Sequence, residues 1–290
     1  MKKFSFLYLI PVLLMLAVPF QTSADDFVRG DCNEDGNVTI ADVTCLIDYL
    51  LSNQWPGEGE PEIVTYILNG IEINMVKVEG GTFTMGASGA DTEADDDEYP
   101  AHIVTLSPYY ICTTEVTQQL WRAVMGSNPS NFTGDLMCPV EKVSWDDCQE
   151  FITKLNQMTG QNFRLPTEAE WEFAARGGNK SMGYKYAGSN DINEVAWYKG
   201  NAGSKTHPVA QKLPNELGLY DMSGNVAEWC NDRYGSYYDT DGQIDPQGPS
   251  TGIHLNRGGD WFHAASYCRV TSRDNTSIVY VSWRGLRLAL

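Results

Sequence analysis

Residues 31–42 carry oxygen-bearing side chains at the spacing of a calcium loop. In Asp31-Cys-Asn33-Glu-Asp35-Gly36-Asn37-Val-Thr39-Ile-Ala-Asp42, Asp31, Asn33, Asp35, Thr39 and Asp42 fall where such loops place ligands. Gly36 stands at the sharp turn, and the Asn37 carbonyl is placed to point inward; hard oxygens in this order suit Ca²⁺. Elsewhere the chemistry-bearing residues are scattered. His102, His207, His254 and His263 form no HxH or HExxH spacing, so a zinc hydrolase has little support. Seven cysteines permit disulfides in an exported chain, but the odd number leaves at least one thiol free or paired to another chain. Several also read simply as small buried apolar residues. Six acids between Asp91 and Glu98 read as a solvated loop before a cation site.

Four segments would position these groups. Lys2 and Lys3, an apolar run from Phe6 to Phe20 and the small residues Thr22-Ser23-Ala24 predict a secretory signal over 1–24, not a membrane span. The mature chain would then be secreted, periplasmic or at the cell surface. Residues 25–53 hold the calcium loop and one amphipathic helix through Val43, Leu46, Ile47, Leu50 and Leu51. A linker over 54–74 contains Trp55-Pro-Gly-Glu-Gly-Glu-Pro61. The main domain, 75–290, begins with two short strands expected around the Gly80-Gly81 turn. Helices are expected over 115–125, 145–158 and 167–176, the last opened by a Thr167/Glu170 capping box. With 38 acidic against 20 basic residues and a net charge of −18, the long-range field argues against nucleic acid. At 42% hydrophobic, the chain has ample material for a core.

Gly30 to Leu51 resembles one half of a dockerin, which implies a cohesin-like partner for 26–52. The family pattern has a second loop-helix half, and none follows here. The main domain resembles the formylglycine-generating enzyme (sulfatase-modifying factor) family. The likeness lies in Gly80-Gly-Thr-Phe-Thr-Met-Gly86, Pro139-Val-Glu-Lys-Val-Ser-Trp145, Arg164-Leu-Pro-Thr-Glu-Ala-Glu-Trp-Glu-Phe-Ala-Ala-Arg176, Gly218-Leu-Tyr-Asp-Met-Ser-Gly-Asn-Val-Ala-Glu-Trp229 and Arg257-Gly-Gly259. It implies an α+β, C-type-lectin-like fold, loop-rich, with a small twisted sheet and a few helices. It also implies a calcium site at the carbonyls of Gly224 and Val226 with the carboxylate of Glu228.

The family's enzymes oxidise a sulfatase cysteine with copper held by two thiolates five residues apart. The second position is Cys268, but the first is His263, and imidazole turns preference away from Cu(I). This departure predicts a non-catalytic binding protein; the alternative is a copper-dependent oxidase using Cys268 with His263. Between Asp260 and Ser282, Lys, Glu, Gln and Met are absent. The residues interspersed among the family framework can each be reached from an Asn codon by changing adenines. That alphabet resembles the variable proteins of diversity-generating retroelements. The expected ligand patch is Phe262, His263, Tyr267, Asp274, Ile278 and Tyr280, displayed to a protein or glycan.

Overall fold

The computed structural model describes residues 61–89, 91–236, 242–274 and 282–290. The calcium loop with its ligands Asp31, Asn33, Asp35, Asn37 and Asp42, the signal segment, Ile278 and Tyr280 therefore lie outside the described residues. The unit from Pro61 to Leu290 opens with β1 (Ile63–Leu68) and β2 (Ile71–Val78). Asn69 and Gly70 join them with φ of 52° and 79°. Both positive angles suit the two-residue hairpin turn that matches strand twist. Most of the expected linker from 63 onward is thus strand, because the hairpin places Leu68, Ile73 and Met75 in the core.

A second correction concerns the Gly80-Gly81 turn. β3 (Gly81–Met85) does not pair with β2. The order β1-β2-β5 forms one sheet, with β5 at Tyr109–Cys112, and β3 pairs antiparallel with β4 (His102–Leu106) in another. A Cβ on Gly80 would fall 2.4 Å from the Leu106 carbonyl oxygen, so the glycine permits a close crossing between sheets. A third sheet takes the order β10-β6-β8-β9, from Arg284–Gly285, Ala227–Arg233, His254–Arg257 and Arg273–Asp274. The remaining strand, β7 (Gln243–Ile244), runs parallel to β4.

The helices follow their local signals. α1 (Gln118–Met125) starts later than expected, capped by Thr117. Val116 is held extended by donating to the Leu286 carbonyl at 2.9 Å. α2 (Trp145–Thr159) has a Ser144/Asp147 capping box and ends at the left-handed Gly160. α3 (Glu168–Ala175) shows the Thr167/Glu170 box, and every one of its residues is buried. A helix apolar on one side only would not survive there; its acids and aromatics are absorbed by interior partners. Trp171 and Phe173 enter one core, while Trp121 stacks on Phe151 at 4.8 Å in another. A short α4 (Ile192–Val195) follows. No helix among the described residues is long and apolar enough to cross a membrane.

Buried ion pairs tie the layers together. Arg287 meets Glu228 at 2.7 Å, Arg269 meets Glu98 at 2.5 Å, Arg273 meets Glu168 at 2.6 Å, and Arg257 meets Glu172. The acidic run is therefore not merely solvated: Glu98 is fully buried, and Asp91 joins it on Arg269 at 3.0 Å. The five described cysteines, Cys112, Cys138, Cys148, Cys230 and Cys268, are free and buried.

Candidate functional site

The Arg257-Gly258-Gly259 run leaves β8 and turns the chain under the predicted patch. Gly259 has φ 66°, and a Cβ there would lie 2.8 Å from the Cys268 sulfur; one on Gly258 would meet Trp171 at 3.1 Å. Both positions require glycine. The turn delivers Asp260, itself buried, whose Oδ1 accepts from the backbone N–H of Phe262 at 2.7 Å and His263 at 3.1 Å. Asp260 Oδ2 lies 2.7 Å from His263 Nδ1. That hydrogen bond and the carboxylate charge raise the His263 pKa against the opposing effect of burial. His263 is thus an oriented, half-buried ring, not an incidental surface residue.

Around it runs a series of touching rings. Phe132 meets Trp261 at 5.2 Å, Trp261 meets Phe262 at 5.5 Å, and Phe262 stacks on Trp283 at 5.5 Å. His263 meets Tyr267 at 4.9 Å and Trp283 at 5.1 Å. Phe262 is 48% and Tyr267 43% exposed. His263, Tyr267 and Asp274 share the wall of one small recess with Asp260 and Ser272. The structure therefore brings together Phe262, His263, Tyr267 and Asp274 of the expected patch. Trp261, Trp283 and Phe132 extend it; the aromatic run Trp261-Phe262-His263 was the available sequence signal, whereas Phe132 enters from a distant loop and carried none.

The chemistry of Cys268 is different. Its side chain is fully buried beside Tyr186, Ile192, Val195 and Ala196. Burial pushes the thiol well above its ordinary pKa, and the Asp260 charge adds to the shift; the thiolate that binds soft metals is disfavoured. With one buried thiol, and an imidazole whose Nδ1 is engaged by Asp260, these residues do not fit a linear two-thiolate copper site. The Ser223–Glu228 turn forms, with Gly224 at φ 85° and Asn225 at φ 60°. The Glu228 carboxylate, however, accepts from Trp171 Nε1 at 2.7 Å and from Arg287 Nη2 at 2.7 Å. A calcium ion held with the Gly224 and Val226 carbonyls would have to share this carboxylate with a guanidinium. The Gly-x-Ser-x-Gly spelling at Gly248-Pro-Ser250-Thr-Gly252 lies on an exposed turn before β8, without the strand–turn–helix of a nucleophile elbow.

Two interior carboxyls give the domain a pH signature. Burial raises Asp221 to about 6 and Asp232 to about 7, with Glu228 and Glu168 respectively adding repulsion. Raised folded-state pKa values mean that the native state binds more protons than the unfolded chain. Stability should therefore be fullest below about pH 4 with respect to these groups and fall as pH rises through 6 and 7. Urea unfolding across that range should show the decline, and Asp232→Asn should flatten its upper part. A stability rising from pH 5 to 8 would contradict it.

The geometry has counterparts among known proteins. The family described as "Sulfatase-modifying factor enzyme 1-like domain" matches residues 70–290. The chain is 35% identical over 248 residues to "Chaperone protein LppX" of Paenibacillus barcinonensis, covering 68% of this chain and 82% of that one. It is 30% identical over 271 residues to "Formylglycine-generating enzyme" of Streptomyces coelicolor, covering 70% and 84%. Among solved structures, "Treponema denticola variable protein 1" superposes with a TM-score of 0.70 at 36% identity, covering 79% of this chain and 99% of that one.

Proposed function

Since the chain belongs to the sulfatase-modifying factor enzyme 1-like family, we propose that it is an exported, non-catalytic ligand-binding protein on that family's scaffold. The scaffold is read as C-type-lectin-like. One observation carries the proposal: the half-exposed ring series of Phe262, His263, Tyr267 and Trp283 is presented to solvent while the Cys268 thiol is sealed beneath it. Exposed Phe and Tyr give contact area at small entropic cost, and Asp274 on the wall of the recess supplies a polar contact. Likeness to a protein titled a variable protein supports reading 260–282 as a diversified patch. That part predicts a near-identical template repeat with Asn codons near the gene, and its absence would overturn it.

The discriminating experiment supplies the purified chain with Cu(I), O₂ and a cysteine-containing sulfatase peptide. No aldehyde beyond the no-protein control is expected; multiple turnovers abolished by Cys268→Ala would establish the oxidase instead. The N-terminal module is proposed to hold one Ca²⁺ on the 31–42 loop and to offer 26–52 to a cohesin-like partner. Calorimetry should show a calcium event that disappears in Asp31→Ala/Asp35→Ala; its persistence would refute the loop.

A further inference from the structure

A cavity of about 340 Å³, lined about equally by polar and apolar surface, lies on the other side of the β10-β6-β8-β9 sheet from the aromatic face. Side-chain direction on β8 and β9 supports this, since the Arg257 and Arg273 guanidinium groups both reach Glu168 of α3. Asn256 pairs with Asp274 and Arg257 with Arg273, and successive residues point to opposite faces. Asp274 shares the recess with His263, whereas Arg273 lines the cavity. The first turn of α3 contributes Glu168, the end of β6 contributes Asp232, and β4 contributes His102. Gln243 and Gln247, both exposed, stand at the rim.

The strap 246–249 closes one side. A Cβ on Gly248 would lie 2.9 Å from Asp232 Oδ1, so the strap's backbone rests directly on that carboxyl. Gln247 also lines a neighbouring recess of about 300 Å³ with Arg164, Asn231 and Asp245. The two recesses thus flank one strap.

The lining carries several hydrogen-bonding groups, and its buried ion pair is closed on itself. Arg273 donates to both Glu168 oxygens at 2.6 and 2.8 Å. Asp232 Oδ2 accepts from the Glu168 N–H at 2.9 Å, and burial favours the neutral form of this carboxyl. Arg233, which also lines the cavity, donates to the Gly252 carbonyl, and the buried charges Arg273 and Glu168 compensate each other. Two amides, a carboxyl and an imidazole instead suit a neutral ligand bearing several hydroxyls, and the volume lies in the range of small-molecule sites. We propose that this cavity binds a neutral saccharide unit, and that the neighbouring recess extends the site across the strap to a second unit. This site is separate from the aromatic face and does not depend on the function proposed for it.

The test titrates cellobiose, maltose, lactose and chitobiose individually into the full chain by calorimetry. Saturable binding of at least one is expected. Gln243→Ala/Gln247→Ala, which removes two exposed side chains, should weaken it by about tenfold or more. Phe262→Ala/Tyr267→Ala should leave it unchanged, with thermal melting as the folding control for both variants. No saturable binding with any of the four would overturn the proposal. So would binding indifferent to the glutamine pair, or binding lost with Phe262 and Tyr267, which would place the sugar on the aromatic face.

Discussion

Replacing Arg287 with methionine should lower the unfolding free energy by about 3–5 kcal/mol, the range for stripping one partner from a buried ion pair. Arg287 is fully buried, and its guanidinium serves three separate pieces of chain. Nε and Nη2 reach Glu228 on β6, Nη1 donates to the Cys112 carbonyl of β5 at 2.9 Å, and Nη2 donates to the Tyr220 carbonyl at 2.7 Å. Methionine fills similar volume but leaves Glu228 charged, with only Trp171 as its donor and with Glu115 and Asp221 near enough to repel it. Adding Glu228→Gln should recover much of the loss, because the uncompensated charge goes with it. Urea denaturation of the single and double variants measures both effects. A single-variant loss below about 1 kcal/mol would show that this pair behaves like an exposed one.

Truncating Phe262 and Tyr267 together to alanine should abolish capture of whatever protein or glycan the chain selects from an array. The expected loss is at least about 100-fold, as befits central aromatic anchors. The fold should barely notice. Both rings are nearly half-exposed, and neither belongs to a core cluster. Surface plasmon resonance against the captured partner reads the affinity, and thermal melting reads the fold. Capture that survives both truncations would sink the aromatic face as the binding site. Lost capture accompanied by a melt many degrees lower would mean instead that the rings hold the 260–268 loop in place.

Much of the fold is legible locally. The Thr167/Glu170 and Ser144/Asp147 boxes set the starts of α3 and α2, because a capping residue and its acid lie within one helical turn. The helix α1 begins at Gln118, whereas apolar periodicity places its start at Glu115, because it runs on through Val116. That residue is claimed by the Leu286 carbonyl from the far end of the chain. The Gly80-Gly81 pair reads as a hairpin turn, yet its crowding against 106–108 makes it a crossing. Turn residues report backbone freedom, not which strand waits on the other side.

Family, helix caps and an aromatic, lysine-free patch ahead of the C-terminus are all written in local sequence. Those signals lie within a few residues of one another, where backbone sterics and side-chain spacing suffice. The pairing of buried charges comes from the packed fold. Glu98 and Arg269 stand 171 residues apart, Glu172 and Arg257 85, and Glu228 and Arg287 59. No local spacing encodes such pairs, since a buried charge is tolerated only where folding brings its counter-charge alongside. The same holds for Cys268 and Asp232. One became a sealed thiol and the other the floor of a cavity because of the layers that closed over them.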